Sequence, residues 1–269
     1  MKPGIYKDLP NNDYHAAPGV SKSGLDLVAK CPAMYKRRYI DGIASDPTPA
    51  MILGSAVHTA TLEPDKFDAE YACAPEINRR TKAGKAEWEQ FQADNEGKTV
   101  LSATDHATAM AMAEAVKKHP VAGNILANGE AEASIFHRDE RTAELVKVRP
   151  DWMIEDCLVD LKTTQDGSKD AFARACANFR YHVQAAMYND VVTAQTGRII
   201  NNFIFIVVER NEPYNVSVYV ADNDMISLGR ELYRSDLATY AECKHSGNWP
   251  GYNHNKIETI TLPGWAYKL

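Results

Sequence analysis

The sequence predicts an α/β fold, a mixed central sheet flanked by helices, with helical additions at both ends of the chain. Three stretches carry that prediction. From Ala131 the texture is that of a strand meander: EASIFHRD, a turn at 140–142, ELVKVRPDWMIE, then CLVDLKTT. Residues 169–195 follow as a helix, with Phe172, Phe179, Val183, Met187, Tyr188 and Val191 mostly on one side at three- and four-residue spacings. NNFIFIVVER is an apolar, β-branched run that reads as a buried strand, and YNVSVYVA alternates like a strand beside it.

The remaining elements fall in order around that core. Ser21 or Ser23 is placed to cap a helix carrying Leu25, Leu27 and Val28, and Pro32 to open the next turn. Pro47 and Pro49 break the chain before MILGSAVHTATLEP, whose small and apolar residues suit a buried helix ending near Pro64. Residues 76–100 are strongly charged, and 103–118, rich in alanine and methionine, predict a helix closed by His119 and Pro120. A final amphipathic helix is expected over 223–244, before a tail containing Gly and Pro. The expectation is one domain over 1–269: a mainly helical part (1–130), a sheet-and-helix part (131–222), and a C-terminal helix with its tail (223–269).

Composition narrows the function classes. With 269 residues, 45% hydrophobic and 25% charged, the chain can bury a sizeable core. No apolar run approaches the roughly 18 to 20 residues of a membrane span, and MKPGIYKDLPNNDYH lacks the apolar centre of a secretory signal, so a cytoplasmic location is expected. The five cysteines are scattered without a Cys-x-x-Cys pair, which predicts free thiols. A net charge of -6 argues against coating nucleic acid through bulk positive charge, so basic residues for DNA must be gathered locally. Three groups qualify: Lys36, Arg37 and Arg38; Arg79, Arg80, Lys82 and Lys85; Arg174 and Arg180. Each is also what an ordinary solvated face looks like. A small-molecule enzyme ranks last, because the chain has no Gly-rich phosphate loop or nucleophile motif.

The segment richest in chemistry is RPDWMIEDCLVDLKTT. Side chains alternate along a strand, so Asp160 and Lys162 share one face while Leu161 enters the opposite core. Asp151 precedes them by nine residues, where a hairpin through Glu155 and Asp156 returns the chain beside it. Two converging carboxylates form an all-oxygen site suited to magnesium or manganese, able to bridge a phosphate and an attacking water, with Lys162 close enough to stabilise developing charge. Asp-x-Lys alone is also what a solvated surface pair looks like. His58 emerges from the apolar GSAVHTATLEP helix, where a lone histidine is more often a core residue. Gln184 and Tyr188, four apart in HVQAAMY, share a helical face and reach toward one phosphate, although Tyr188 serves equally as core filler.

Taken in order, Ser21-x-Ser23-x-Leu25 with Cys31-Pro32 and Tyr35, Gly54-x-x-x-His58, Pro150-Asp151, Asp160-x-Lys162 and Gln184-x-x-x-Tyr188 resemble the RecB-like branch of the PD-(D/E)XK nucleases. Within that branch RPDW, VDLKTT, YHVQAAMY and NWPGY…TLPGWA resemble the RecE-like exonucleases, and the resemblance spans nearly the whole chain. It implies a PD-(D/E)XK core and a Mg2+-dependent 5′ to 3′ exonuclease, with Mn2+ able to substitute, acting on double-stranded DNA ends. It further implies a ring-shaped homotetramer working with a RecT-like single-strand annealing protein. By motif match His58, Asp151 and Asp160 bind metal, Lys162 assists hydrolysis, and Gln184 and Tyr188 line the site; Glu132 matches a further acidic position. The sequence departs from the pattern where Asp160 replaces the commoner glutamate, one methylene shorter, and where Cys31 lacks the late cysteine cluster of the iron–sulfur branch. An endonuclease on the same core and a catalytically silent DNA-binding module are the alternatives.

Overall fold

A computed structural model describes residues 1–43 and 46–267, including all of their side chains except those of 254 and 255. The chain opens with β1 (Gly4–Tyr6), α1 (Asn11–Ala16) and α2 (Lys22–Lys30). Of the two serines placed to cap α2, Ser21 does so: its hydroxyl accepts the Gly24 N–H at 3.3 Å and satisfies one of the free donors of the first turn. Pro32 opens α3 (Pro32–Tyr35), where its missing N–H is not needed. Thr48 caps α4 (Pro49–Leu62), which stops before Pro64 opens α5 (Pro64–Glu70). β2 (Tyr71–Cys73) precedes the charged stretch, which forms α6 (Lys82–Asp94) and leads into β3 (Thr99–Leu101), and β2 and β3 pair in parallel. Two helices follow, α7 (Ala103–Lys118) and α8 (Pro120–Ile125), the first ending where His119 and Pro120 predict.

The second half holds β4 (Glu130–Ala131), β5 (Ser134–Arg138), β6 (Leu145–Val148), β7 (Trp152–Ile154) and β8 (Cys157–Thr164). It continues with α9 (Lys169–Asn178), α10 (Tyr181–Thr196), β9 (Asn202–Glu209), β10 (Val216–Val220) and α11 (Asn223–Ser246). The strands do not form the single meander expected from the sequence. β5 and β6 join β1 in a three-stranded sheet, whereas β7 and β8 belong to a five-stranded sheet ordered β10-β9-β8-β7-β4. The division falls within ELVKVRPDWMIE, at Arg149–Asp151. Pro150 has no N–H to give a ladder, and the Arg149 guanidinium turns into the protein to donate to Ser134 Oγ and the Leu9 carbonyl.

The expected continuous helix over 169–195 is likewise two helices. They break at Phe179–Arg180, where Arg180 takes a left-handed φ of 55° that ends one helix and begins the next.

The five-stranded sheet lies between two helical layers. β8 and β9 run parallel, pairing Asp160 with Phe205 and Lys162 with Val207. On one face Leu158, Phe203, Phe205 and Val207 pack with Leu25 of α2, Val183 and Met187 of α10 and Leu237 of α11. On the other Val159, Leu161, Ile206 and Val208 meet Ala56 and Val57 of α4 and Met112 and Val116 of α7. Gly229 permits the close approach of α11 to α10, since a Cβ there would lie 2.0 Å from the His182 carbonyl. All five cysteines are free thiols.

Candidate active site

Alternation along β8 puts Asp160 and Lys162 on the α10 side of the sheet and Leu161 against α4 and α7. The pair is not a solvated surface pair, because Asp160 is only 1% exposed. Its partners come from one turn of α10. Gln184 Nε2 donates to Asp160 Oδ1 at 2.5 Å, and Gln184 Oε1 accepts from Lys162 Nζ at 3.2 Å. Lys162 also forms a close ion pair with Asp160 Oδ2. The ring of Tyr181 lies 4.5 Å from the same ammonium, a cation–π contact. Tyr188, one turn beyond Gln184, packs edge-on against Phe203 and so fills the core. Burial, with Tyr14, Asp160, Asp151 and Glu132 nearby, holds its hydroxyl well above the ordinary tyrosine range, so Tyr188 also faces the carboxylates.

Asp151 leads into β7, and the hairpin at Glu155 and Asp156 returns the chain as β8, pairing Ile154 with Cys157. Asp151 Oδ2 accepts the Leu161 N–H at 2.7 Å and lies 3.4 Å from His58 Nδ1. Glu132 has a left-handed φ of 52° and donates its N–H to the Asp151 carbonyl at 3.2 Å. His58, Glu132 and Asp151 each offer one ligand atom, and these atoms lie within 4.8 Å of one another. This trio differs from the set that the resemblance implies. Glu132 stands inside it, and Asp160 lies beside it, acting through charge on Asp151 and Glu132.

The protonation of the site follows from its burial. Burial first, and Asp160 second, push Asp151 up to about 6 against the pull of His58 and Lys162. Burial and then Asp151 push Glu132 up to about 9. Burial alone would lower Lys162, but Asp160 and Asp151 outweigh it, and its ammonium titrates above the ordinary lysine value. Clustered carboxylates that resist ionising, with one imidazole beside them, suit a divalent cation.

Two participants escape a reading of the sequence. Arg149, 9% exposed, binds Ser134 and the Leu9 carbonyl and reaches Asn11 Oδ1 at 3.3 Å. It also lies 3.9 Å from Glu132 Oε2 and 4.2 Å from the Tyr14 ring centroid, so it ties the N-terminal segment to the acidic cluster. Its signal was a charged residue directly after the buried strand β6 and before Pro150. Tyr181 stands three residues before Gln184, a helical spacing that already put it on the same face. Among the basic groups, Arg79 stacks on Trp88 at 4.1 Å, and Arg79, Arg80, Lys82 and Arg174 are exposed. Arg180 instead has its charge taken by Asp236 at 2.5 Å and Asp26 at 3.7 Å.

With this geometry in view, residues 21–263 match DUF3799, a family described as a PDDEXK-like domain of unknown function. The chain belongs to this family. Membership bears out the α/β fold of PD-(D/E)XK type and the expectation of a nuclease. A crystal structure of a Eubacterium rectale protein, provisionally described as an exonuclease, is similar at a TM-score of 0.66 with 14% identity, over 96% of this chain and 97% of that one. SSO0001 aligns at a TM-score of 0.39 and 15% identity, over 87% of each chain. Comparison with curated proteins gives no match. No described helix of this DUF3799 member is long and apolar enough to cross a membrane.

Proposed function

We propose that this chain is a metal-dependent 5′ to 3′ exonuclease that degrades double-stranded DNA from its ends and leaves 3′ single-stranded tails for recombination by strand annealing. The observation that carries the reading is the meeting of His58, Glu132 and Asp151 with the buried Asp160–Lys162–Gln184 set, in a chain of PDDEXK-like family.

His58, Glu132 and Asp151 would hold Mg2+, or Mn2+ in its place, with Asp160 as an adjoining carboxylate. A divalent ion there supplies Lewis-acid stabilisation of a phosphate and lowers the pKa of water. The chain's own groups do the rest. Asp151 is fixed to β8 by the Leu161 N–H, so its carboxylate cannot swing away from Asp160. Gln184 bridges Asp160 and Lys162 and sets the direction of the ammonium. Lys162, kept protonated by the carboxylates, stabilises negative charge as it develops on the phosphate oxygens.

Polarity, the need for an end, the tetrameric ring and a RecT-like single-strand annealing partner rest on the ordered motifs shared with RecE-like exonucleases. Charge supports the ring: a monomer of net charge -6 has no bulk attraction to DNA, whereas a closed ring retains its track without it. Plasmid linearised and labelled at 5′ or 3′ ends, incubated with Mg2+ beside covalently closed plasmid, tests the reading. Early release of the 5′ label with closed plasmid intact is expected. Cutting of the closed plasmid would make the enzyme an endonuclease, and no cutting of either would make the domain catalytically silent.

A further inference from the structure

Phe179 occupies the break between α9 and α10 and is 62% exposed. A single exposed phenylalanine is ordinary, but this one ends an aromatic stack. Phe179 stacks on Tyr181 with centroids 5.6 Å apart, Tyr181 meets Phe172 at 6.0 Å, and Phe172 stacks on Tyr219 at 5.4 Å. The series runs outward from the sheet, and its outermost ring stands largely open to solvent.

The backbone that carries the ring is held in place. The Phe179 N–H donates to the Ala175 carbonyl at 2.9 Å, and the Phe179 carbonyl accepts from Lys22 Nζ at 2.7 Å. Arg180, the next residue, sits in the left-handed region, which costs energy for a residue with a side chain. Its pairing with Asp236 and Asp26 stabilises that turn. With its backbone fixed before binding, Phe179 has only side-chain torsions left to order when a flat partner settles on the ring.

The position of the ring points to the partner. Tyr181 carries Phe179 on one side and the Lys162 ammonium near its ring, so the exposed platform and the phosphate-stabilising lysine flank one tyrosine. Lys22 is paired with Asp26 at 2.7 Å and Arg180 with Asp236, so neither of these neighbours offers the platform an unpaired charge and its own surface is aromatic. A neutral π-face next to a phosphate site suits a nucleobase, and stacking accepts any base.

We infer that Phe179 is a base-stacking residue, whose open ring face takes one nucleobase of the strand being cut. The inference rests on the nuclease reading above and adds a substrate-binding subsite to it.

The test walks a single abasic nucleotide through the terminal positions of a labelled duplex. Affinity is read by fluorescence anisotropy in Ca2+, and cutting in Mg2+, for wild type, Phe179→Ala, Phe179→Leu and Phe179→Trp. Stacking is worth roughly 1 to 3 kcal/mol per base, so Phe179→Ala should weaken the fully based duplex by about five- to 150-fold. Phe179→Leu should weaken it comparably, and Phe179→Trp should restore it. At one position the abasic nucleotide should cost wild type a similar factor and cost Phe179→Ala almost nothing, because the two changes remove the same contact. Wild-type cutting with no such position, or Phe179→Leu binding as tightly as wild type, overturns the stacking subsite and leaves the nuclease reading standing. A wild-type protein that cuts no DNA overturns both.

Discussion

Asp151 Oδ2 accepts the backbone N–H of Leu161 at 2.7 Å, although the two residues lie ten apart on either side of a hairpin. The bond occupies one carboxylate oxygen with a fixed donor from the strand that carries Asp160 and Lys162. It separates two roles of Asp151 that substitution can tell apart. Asparagine keeps an oxygen for the Leu161 N–H and loses the charge, whereas alanine loses both. Asp151→Asn should therefore lower DNA cleavage by roughly 10² to 10³ or more with little change in melting. Asp151→Ala should lose activity equally and also about 1 to 3 kcal/mol of stability through the unsatisfied donor. Paired rate measurements and urea melts of the two variants check this.

Asp160 is almost wholly buried, and Lys162 is its only cationic partner among the described residues. Removing one charge of a buried pair costs about 3 to 5 kcal/mol, while removing both is far milder. Lys162→Met should thus be strongly destabilised, and Asp160→Asn with Lys162→Met should recover most of that loss while remaining inactive. Denaturant midpoints of the single and double variants give the answer; a double variant no more stable than Lys162→Met would contradict the pairing.

The raised carboxyl groups make metal-free stability depend on pH. Asp151 rises from 3.8 to about 6 and Glu132 from 4.5 to about 9, so the folded protein prefers both protonated. Their contribution is complete below the ordinary carboxylate values and is lost as pH rises through 6 for Asp151 and 9 for Glu132. The melting temperature of chelator-treated protein should fall between pH 5 and 9 through these groups, and Mg2+ or Mn2+ should restore it by replacing protons. Calorimetry in buffers of different ionisation enthalpy should register protons released on binding. Release absent at pH 7, where Glu132 is protonated, would exclude it from the ligand set.

Much of this site was legible before the structure. Period-two alternation in VDLKTT placed Asp160 and Lys162 together, and the four-residue spacing of Gln184 and Tyr188 placed both on one face of α10. Glu132 was harder to read, because its approach to Asp151 depends on a left-handed backbone at a residue that is not glycine. The burial of the Asp160–Lys162 pair was equally hidden, since it comes from α10 packing on that face with Gln184 over the pair. The division of the strands into two sheets turns on Arg149, whose partners Leu9 and Asn11 are some 140 residues away. The helix break at Arg180 depends on Asp26 and Asp236 from two other helices. Contacts of that range leave no local pattern.

The identity of the ion is open to a direct comparison. Calcium takes looser and higher coordination than magnesium and places its ligands less strictly. Mg2+ and Mn2+ should support cleavage, and Ca2+ should allow DNA binding with little cleavage. Equal rates in calcium would contradict a geometry-demanding carboxylate site.

The central claim is that the buried Asp160–Lys162 pair works with the His58, Glu132 and Asp151 cluster to cut DNA. The most direct measurement is release of nucleotides from linear duplex in Mg2+ by wild type and Asp160→Asn, each shown to be folded. Release by wild type that stops in chelator and falls by roughly 10² or more in Asp160→Asn is the predicted result. Near-equal release by the two proteins, or release that persists in chelator, would contradict the account.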